Sequence, residues 1–284
     1  MEVGINFKNI KSYNENMAKG MEDKLFFLSK LNFKKDKSYL FVDFGCADGV
    51  LLDTLYGIME ANDINCYFIG YDISDTMIEL AKTKFSHYPT YNVIFTTDWK
   101  KVEEKVKTYS AMESVLILSS VIHEVYSYAN IENNDIFNFW KNVRNTGFKY
   151  VCVRDMMCSE DINRKPEEDI INEVMEHIPF ATTISLIKTD FEKKWGSIHE
   201  NNKNLVHFLL KYRWQINWER ELNEDYFPIY ISELLDRMNE KYNLIYFNRF
   251  RVPFLDKCFK EDFNIELNDF THIKAIFKLK NKKD

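Results

Sequence analysis

The chain has 284 residues, 45% of them hydrophobic and 29% charged, with a net charge of −6. That length and apolar content support a sizeable core and exclude wholesale disorder. The acidic balance, with an isoelectric point near 5.7, excludes a chain-wide electrostatic grip on nucleic acid and leaves only a local basic groove open.

The five cysteines, Cys46, Cys66, Cys152, Cys158 and Cys258, are scattered, with no CxxC pair and no Cys/His cluster of zinc spacing. Reduced thiols and no metal are expected. No apolar run reaches the roughly 20 residues that span a bilayer, and MEVGINFKNIKSYNEN lacks the apolar core of a signal peptide. The expectation is a soluble, cytoplasmic protein.

Taken along the chain, Met17, Met21, Leu25, Leu28 and Leu31 recur at helical spacing, so residues 11–31 are predicted as a helix and 1–37 as a helical cover. SYLFVDFG is a short, nearly continuous apolar run, as in a strand buried on both faces of a parallel sheet. A helix over 50–60 follows, then a second strand, CYFIGYDIS. DTMIELAKTKF is an amphipathic helix with Ser74 or Asp75 as its cap. YNVIFTTDW and SVLILSSVI read as the third and fourth strands, IFNFWKNVRNTGF as a helix and KYVCVRDMM as the fifth strand. Strands alternating with helices imply a doubly wound parallel sheet with ligands at the carboxyl ends of its strands, where Asp43, Asp72, Asp98 and Asp155 all fall.

After Asp155 the rhythm breaks. Residues 159–228 hold no convincing strand and read as a helical insertion, a cap over the site, with Leu205, Phe208, Leu209, Tyr212 and Ile216 on one stripe. A helix at ISELLDRMNEKY and strands at NLIYFNRFRVPF and THIKAIFKLK then complete over 229–284 the core begun at 38–158, the last two strands pairing antiparallel.

FVDFGCADGVLLD sets Asp43, Gly45 and Gly49 between a strand and a helix as D-x-G-x-x-x-G, with Ala47 where a middle glycine often stands. Such a turn needs glycine for steric reasons alone. Asp72 adds the chemistry, because it ends the next strand 23 positions after Gly49, where an acid accepts both hydroxyls of a ribose. A dinucleotide site prefers G-x-G-x-x-G, with pyrophosphate against the helix N-terminus. With Asp43 and Asp48, this turn is a poor host for pyrophosphate and suits a ligand carrying an amino group and a sulfonium.

VDFGCADG, GYDISDTMIELAK, TTDW and LILSSVIHEV resemble the successive signatures of class I (Rossmann-like) S-adenosylmethionine-dependent methyltransferases. The resemblance covers roughly residues 38–155, and the strand pair at 243–253 and 271–280 agrees in order. It implies an α/β fold, a doubly wound and mostly parallel sheet with the last strand antiparallel, and S-adenosyl-L-methionine (SAM) as cofactor. By that resemblance, Asp43 and the turn residues Gly45, Cys46, Ala47 and Gly49 would hold the methionine end. Asp72 would bind the ribose and Ile73 would pack on the adenine. Asp98 would meet the adenine amino group beside the Trp99 backbone, and Ser119 would line the pocket behind the methyl donor. Ala47 departs from the pattern by one methyl group. Asp98 has a second reading as a helix cap, Trp99 as core, and Ser119 as a strand end. His123 and Glu124, just after the fourth strand, are candidates either for general base chemistry or for supporting the pocket.

Transfer from a sulfonium is an in-line SN2 displacement that needs alignment and exclusion of water more than a base. SSVIHEV is not the Asn/Asp-Pro-Pro-aromatic signature of base amino methylation, no Pro-Cys pair is present, and no confident Lys-Asp-Lys-Glu spacing is found. NNKNLVHFLLKYRWQINWER interleaves Lys203, Lys211, Arg213 and Arg220 with Tyr212, Trp214 and Trp218, either a stacking surface for nucleic acid or an amphipathic helix. Residues 190–221 carry six basic and five acidic side chains, so the segment is nearly neutral. Met156 and Met157 offer an adaptable apolar wall. The sequence reads as a SAM-dependent methyltransferase whose insertion selects an unidentified acceptor, a small molecule or protein ahead of RNA or DNA, with no membrane partner. The alternative is a SAM-binding regulator without turnover, and a nicotinamide oxidoreductase is a distant third.

Overall fold

A computed structural model describes residues 20–86, 92–178 and 182–281. Strand β1 (Ser38–Phe44) shows why its sequence is nearly all apolar. Leu40, Val42 and Phe44 enter the core on one face of the sheet, while Tyr39 and Phe41 enter the core on the other. Successive side chains of a strand point to opposite faces, so burial on both faces favours apolar residues at consecutive positions.

The other strands among the described residues are β2 (Asn65–Tyr71), β3 (Val93–Thr96), β4 (Glu113–Ser119), β5 (Tyr150–Met156), β6 (Tyr242–Phe250) and β7 (His272–Leu279). Their order is β3-β2-β1-β4-β5-β7-β6. Strands β1 to β5 pair in parallel, and β7 runs antiparallel to both β5 and β6. This is the doubly wound sheet with an antiparallel last strand that the sequence implies. The strand order reverses between β1 and β4, which opens a crevice beyond their carboxyl ends.

One face of the sheet carries α1 (Met21–Lys24) and α2 (Val50–Ala61), the latter through Leu51, Leu52, Leu55, Tyr56 and Met59. Replacing fully buried Leu52 or Leu55 by alanine removes about 2–5 kcal/mol. The opposite face is covered by α4 (Trp99–Thr108), α6 (Asp135–Asn145) and α11 (Ile231–Asn239). Helix α3 (Asp75–Lys84) starts at Ser74, whose hydroxyl accepts from Met77 N at 3.3 Å. Short α5 (Ile122–Tyr128) follows β4 directly.

Residues 11–31 are not one helix from Gly20 onward; residues 11–19, with Met17, lie outside the described residues. α1 makes a single turn and passes into a 3-10 turn at Phe26–Ser29. Leu25, Phe26 and Phe27 are all buried, and three consecutive residues cannot share one face of a regular α-helix.

Between β5 and α11 the chain forms α7 (Glu168–Glu176), α8 (Thr183–Trp195), α9 (Asn202–Lys211) and α10 (Trp218–Asn223). These helices share a core with Phe259, Phe263, Ile265 and Leu267, which come from α12 (Pro253–Phe263) and the loop after it. The β6–β7 connection is thus helical and packs with the insertion, which its sequence did not disclose.

Candidate functional site

The turn after β1 is held in a left-handed backbone at three alternate positions, Gly45 (φ 77°), Ala47 (φ 47°) and Gly49 (φ 80°). The amides of Gly45 and Cys46 both donate to the Tyr71 carbonyl, at 2.8 and 3.0 Å. A Cβ on Gly45 would come within 2.7 Å of the Val121 methyl, so glycine is required there twice over, by φ and by space. Ala47 departs from the expected pattern by more than a methyl group. Its left-handed backbone costs a residue with a Cβ about 1–2 kcal/mol.

Asp72 lies just beyond β2 and supports the turn. One carboxylate oxygen accepts from Ala47 N at 2.9 Å and the other from Ser74 N at 2.9 Å. Burial pushes its pKa above the ordinary value, against the pull of these backbone donors. Ile73, beside it, is 70% exposed, an apolar side chain presented to solvent at a strand end. Asp48 corrects the expectation that it adds negative charge for the ligand. Its Oδ2 pairs with Lys84 Nζ at 2.6 Å and its Oδ1 accepts from Val50 N at 3.3 Å.

Lys24, Asp43, Gly45, Cys46, Ala47, Asp48, Val50, Leu51 and Ser119 line a cavity of about 20 Å³, room for about one water. Burial drives the Asp43 carboxyl up to about 7, with Asp72 adding to the rise and Lys24 opposing it. Burial likewise lowers Lys24 to about 8, helped by Arg154 and opposed by Asp43, Glu124 and Asp23. The Ser119 hydroxyl is buried in this wall without a hydrogen-bond partner. Such an orphan costs about 1–3 kcal/mol, and the cavity is where a partner would come from.

Asp98 and Trp99 stand apart from this cavity. Asp98 is exposed and caps α4, accepting from Lys100 N at 3.0 Å. The Trp99 ring turns into the core, 5.3 Å from the Phe44 ring and 5.1 Å from that of Tyr71. Sequence reasoning missed Lys24. Met21, Lys24, Leu25 and Leu28 share a helical face, and a lysine on that apolar stripe was the available signal.

His123 and Glu124 open α5 at the other side of the crevice. Asp155 Oδ2 accepts from the amides of Val121 and Ile122, at 3.0 and 2.6 Å, and its Oδ1 meets His123 Nδ1 at 2.7 Å. His123 Nε2 lies 3.9 Å from Glu224. Burial lowers the imidazole pKa, but the charge and hydrogen bond of Asp155, with Glu124 and Glu224 behind it, raise it to about 9. A ring that holds its proton at neutral pH is a poor general base, which counts against that expectation for His123.

Glu124 differs. Its side chain is 33% exposed, and one oxygen accepts from Arg220 at 2.7 Å. Its pKa is raised by burial, with Glu224 and Asp72 adding and Arg220 and His123 opposing. Arg220 also donates to Glu224 at 2.7 Å, and Tyr128 donates to the same Glu224 oxygen at 3.0 Å. Arg220 and Glu224 belong to the insertion, so this network ties the insertion to the end of β5. Other basic groups of the insertion are engaged internally as well. Lys211 donates to the carbonyls of Glu221 and Glu224, and Arg213 pairs with Asp262 at 2.7 Å. The interleaved basic and aromatic stretch is largely an internal packing surface.

All five cysteines are buried free thiols. Among the described residues no helix is long and apolar enough to cross a membrane, and no cluster of His, Cys, Asp or Glu is arranged for a metal ion.

The strand order, with a parallel core and an antiparallel last strand, fits the class I methyltransferase fold. No protein-family model and no curated protein matches it. Among solved structures it is similar to the Haloferax volcanii protein seen in complex with the Trm112 methyltransferase activator, at 9% identity and a TM-score of 0.47 over 97% of this chain and 96% of that one. It is similar to mycolic acid cyclopropane synthase complexed with SAH at 10% identity and a TM-score of 0.45, over 94% of this chain and 85% of that one. Against WbdD the likeness is 14% identity and a TM-score of 0.30 over 50% of this chain, and spans only 30% of that protein.

Proposed function

We propose that this protein binds SAM in the crevice beyond β1, β2 and β4 and transfers its methyl group by in-line displacement to an acceptor held under helices 159–228. The observation that carries the reading is the Ser119 hydroxyl, buried without a partner in a wall it shares with Asp43. The residues present fit an adenosyl amino acid. Asp72 keeps lone pairs for a ribose while its backbone bonds fix it, and exposed Ile73 offers an apolar face to an adenine. Asp43 offers a carboxylate to an ammonium. Asp98 remains a partner for the adenine amino group through the oxygen not used in capping.

When bound, the sulfonium supplies an electrophilic methyl carbon. The chain's own contribution is to align the acceptor and exclude water. Glu124 is the group placed to hold a proton released there, since one of its oxygens is on Arg220, its pKa is raised, and it couples to Asp72 on the cofactor side. His123 stands beside it as a buried cation on Asp155, the carboxylate that fixes the start of α5.

Calorimetric titration of SAM and S-adenosylhomocysteine into wild type and Asp72→Ala tests the reading. Micromolar binding that disappears in the variant supports it, and a folded wild type that binds neither ligand at millimolar concentration sinks it. The second reading is a protein that binds SAM without turnover. Labelled-methyl transfer to pools of small molecules, protein and RNA separates the two.

A further inference from the structure

We propose that the cavity beyond the ends of β5 and β6 is a second ligand site, which takes a small flat carboxylic acid with an amine at its far end, an aminobenzoate in kind. The site goes beyond the cofactor reading and does not depend on it. In the sheet β6 lies three strand positions from β4, about 15 Å at the usual spacing. The cavity has a volume of about 170 Å³, and about 150 Å³ takes a benzene ring. Its wall comes from three segments that the fold brings together. After β5 ends at Met156, the chain supplies Cys158, Ser159 and the 3-10 turn Glu160–Ile162. β6 supplies Arg249, and the loop before β7 supplies Asn268, Asp269 and Phe270.

Three arginines bear on this wall, and two of them are spent on carboxylates. Arg164 holds both oxygens of Asp269, at 2.9 and 3.0 Å, and Arg251, 6.0 Å from the Phe270 ring, pairs with Asp256 at 2.9 Å. Arg249 forms no ion pair among the described residues. Its Nη1 donates to Ser159 Oγ at 3.0 Å, and its guanidinium lies 5.2 Å from the centre of the Phe270 ring. Two residues of the wall thus hold an otherwise exposed arginine at the cavity. Most of its N–H groups are unused, and a planar fork of donors matches a carboxylate. Asp269 does not oppose such an anion, because Arg164 neutralises it and Asn202 donates to it at 2.9 Å.

Acceptors define the far end of the ligand. Asp161 lines the same cavity, and its carboxylate has no hydrogen bond or ion pair among the described residues. The Asn268 amide donates to Glu167 at 3.3 Å, which leaves its carbonyl oxygen to accept. Ile162 and Cys158 are buried and give the wall an apolar stretch. Burial pushes the Cys158 thiol up to about 12, with Lys203 opposing and Asp225, Asp269 and Asp161 adding, so it stays neutral. A phosphate would meet Arg249 but face Asp161, and a bare amine would meet Asp161 but face Arg249. A ring with a carboxylate at one end and an amine at the other satisfies both.

The test is NMR titration with 4-aminobenzoate, benzoate and aniline, each to about 20 mM. Wild type should bind 4-aminobenzoate with a Kd of about 1 mM, in range for a ligand of its size. Benzoate and aniline should each bind about 10-fold more weakly, the loss expected for one hydrogen bond to a charged group. Arg249→Gln should weaken 4-aminobenzoate to the level of aniline and leave aniline unchanged. Asp161→Ala should weaken it to the level of benzoate without weakening benzoate. Both side chains are exposed, and the amide spectrum checks that the variants are folded. Folded wild type that binds none of the three probes overturns the proposal, and so does equal affinity for all three. Binding of 4-aminobenzoate that Arg249→Gln leaves intact places the ligand elsewhere and overturns it too. S-adenosylhomocysteine should bind Arg249→Gln as it binds wild type, so failure of the cofactor reading appears in a separate titration.

Discussion

Replacing His123 with glutamine, and following stability against pH, isolates the buried ion pair behind the crevice. The groups facing the imidazole are Asp155 from β5 at 2.7 Å, Glu124 beside it on α5, and Glu224 from the insertion at 3.9 Å, with the Tyr226 ring edge-on at 5.5 Å. Burial alone would lower the imidazole pKa, and these carboxylates raise it to about 9 against an ordinary 6.5. A folded pKa above the unfolded one means stabilisation that is complete below about 6.5 and is lost as pH rises through 9. At about 1.4 kcal/mol per pH unit, that gap is worth about 3 kcal/mol. Urea denaturation of wild type and His123→Gln from pH 6 to 10 measures it. Lys24, Asp43, Lys211 and Glu221 titrate in the same window, and subtracting the variant's curve removes what the two proteins share. The wild-type advantage should shrink by about 3 kcal/mol across the range. A difference that stays flat would refute the reasoning, as would a His123 Cε1 proton that titrates near 6.5 by NMR.

Asp43→Asn removes a carboxyl whose pKa burial has raised from 3.8 to about 7. A raised acid loses folding stability as pH rises from about 4 through 7, so the amide should be more stable at pH 8 by up to about 4 kcal/mol. It should bind S-adenosylhomocysteine at least tenfold more weakly, and a variant that is less stable at pH 8 contradicts the burial argument. Ala47→Gly relieves a left-handed backbone at φ 47° and should gain about 1 kcal/mol in thermal denaturation; a lower Tm argues against that strain. Arg220→Met leaves Glu124 and Glu224 without their shared cation and should cost about 3–5 kcal/mol. Adding Glu224→Gln should return part of that loss, and strict additivity in the double-mutant cycle would deny the coupling.

The sheet was legible because its signals are local. Leu40 to Val42 are apolar without interruption, Gly45 and Gly49 sit where the backbone turns left-handed, and Ser74 caps the helix it precedes. The place of Asp72 at the end of β2 was legible by spacing, although its bond to Ala47 was not. What stayed hidden depends on pairs far apart in the chain. Asp23 meets Arg154, and Arg220 meets Glu124, across separations of 131 and 96 residues. Asp48 looked like a ligand group because Lys84 lies 36 positions away. No periodicity reports which carboxylate a distant cation will choose, so the fold follows from pattern while the electrostatics of the site follow from topology.

That topology also sets the charge balance around His123. Asp155, Glu124 and Glu224 carry three negative charges, and His123 and Arg220 carry two positive ones. Asp155 has four donors within 3.0 Å, and Glu224 is buried on Arg220 and Tyr128. Glu124 is the most exposed of the three, and its pKa is pushed up by burial and by its acidic neighbours. A proton or a positive charge brought to Glu124 relieves the repulsion from Glu224 and Asp72, and an anion increases it. Arg220 belongs to the insertion, so any movement of the helical cap that withdraws it changes the proton affinity of Glu124.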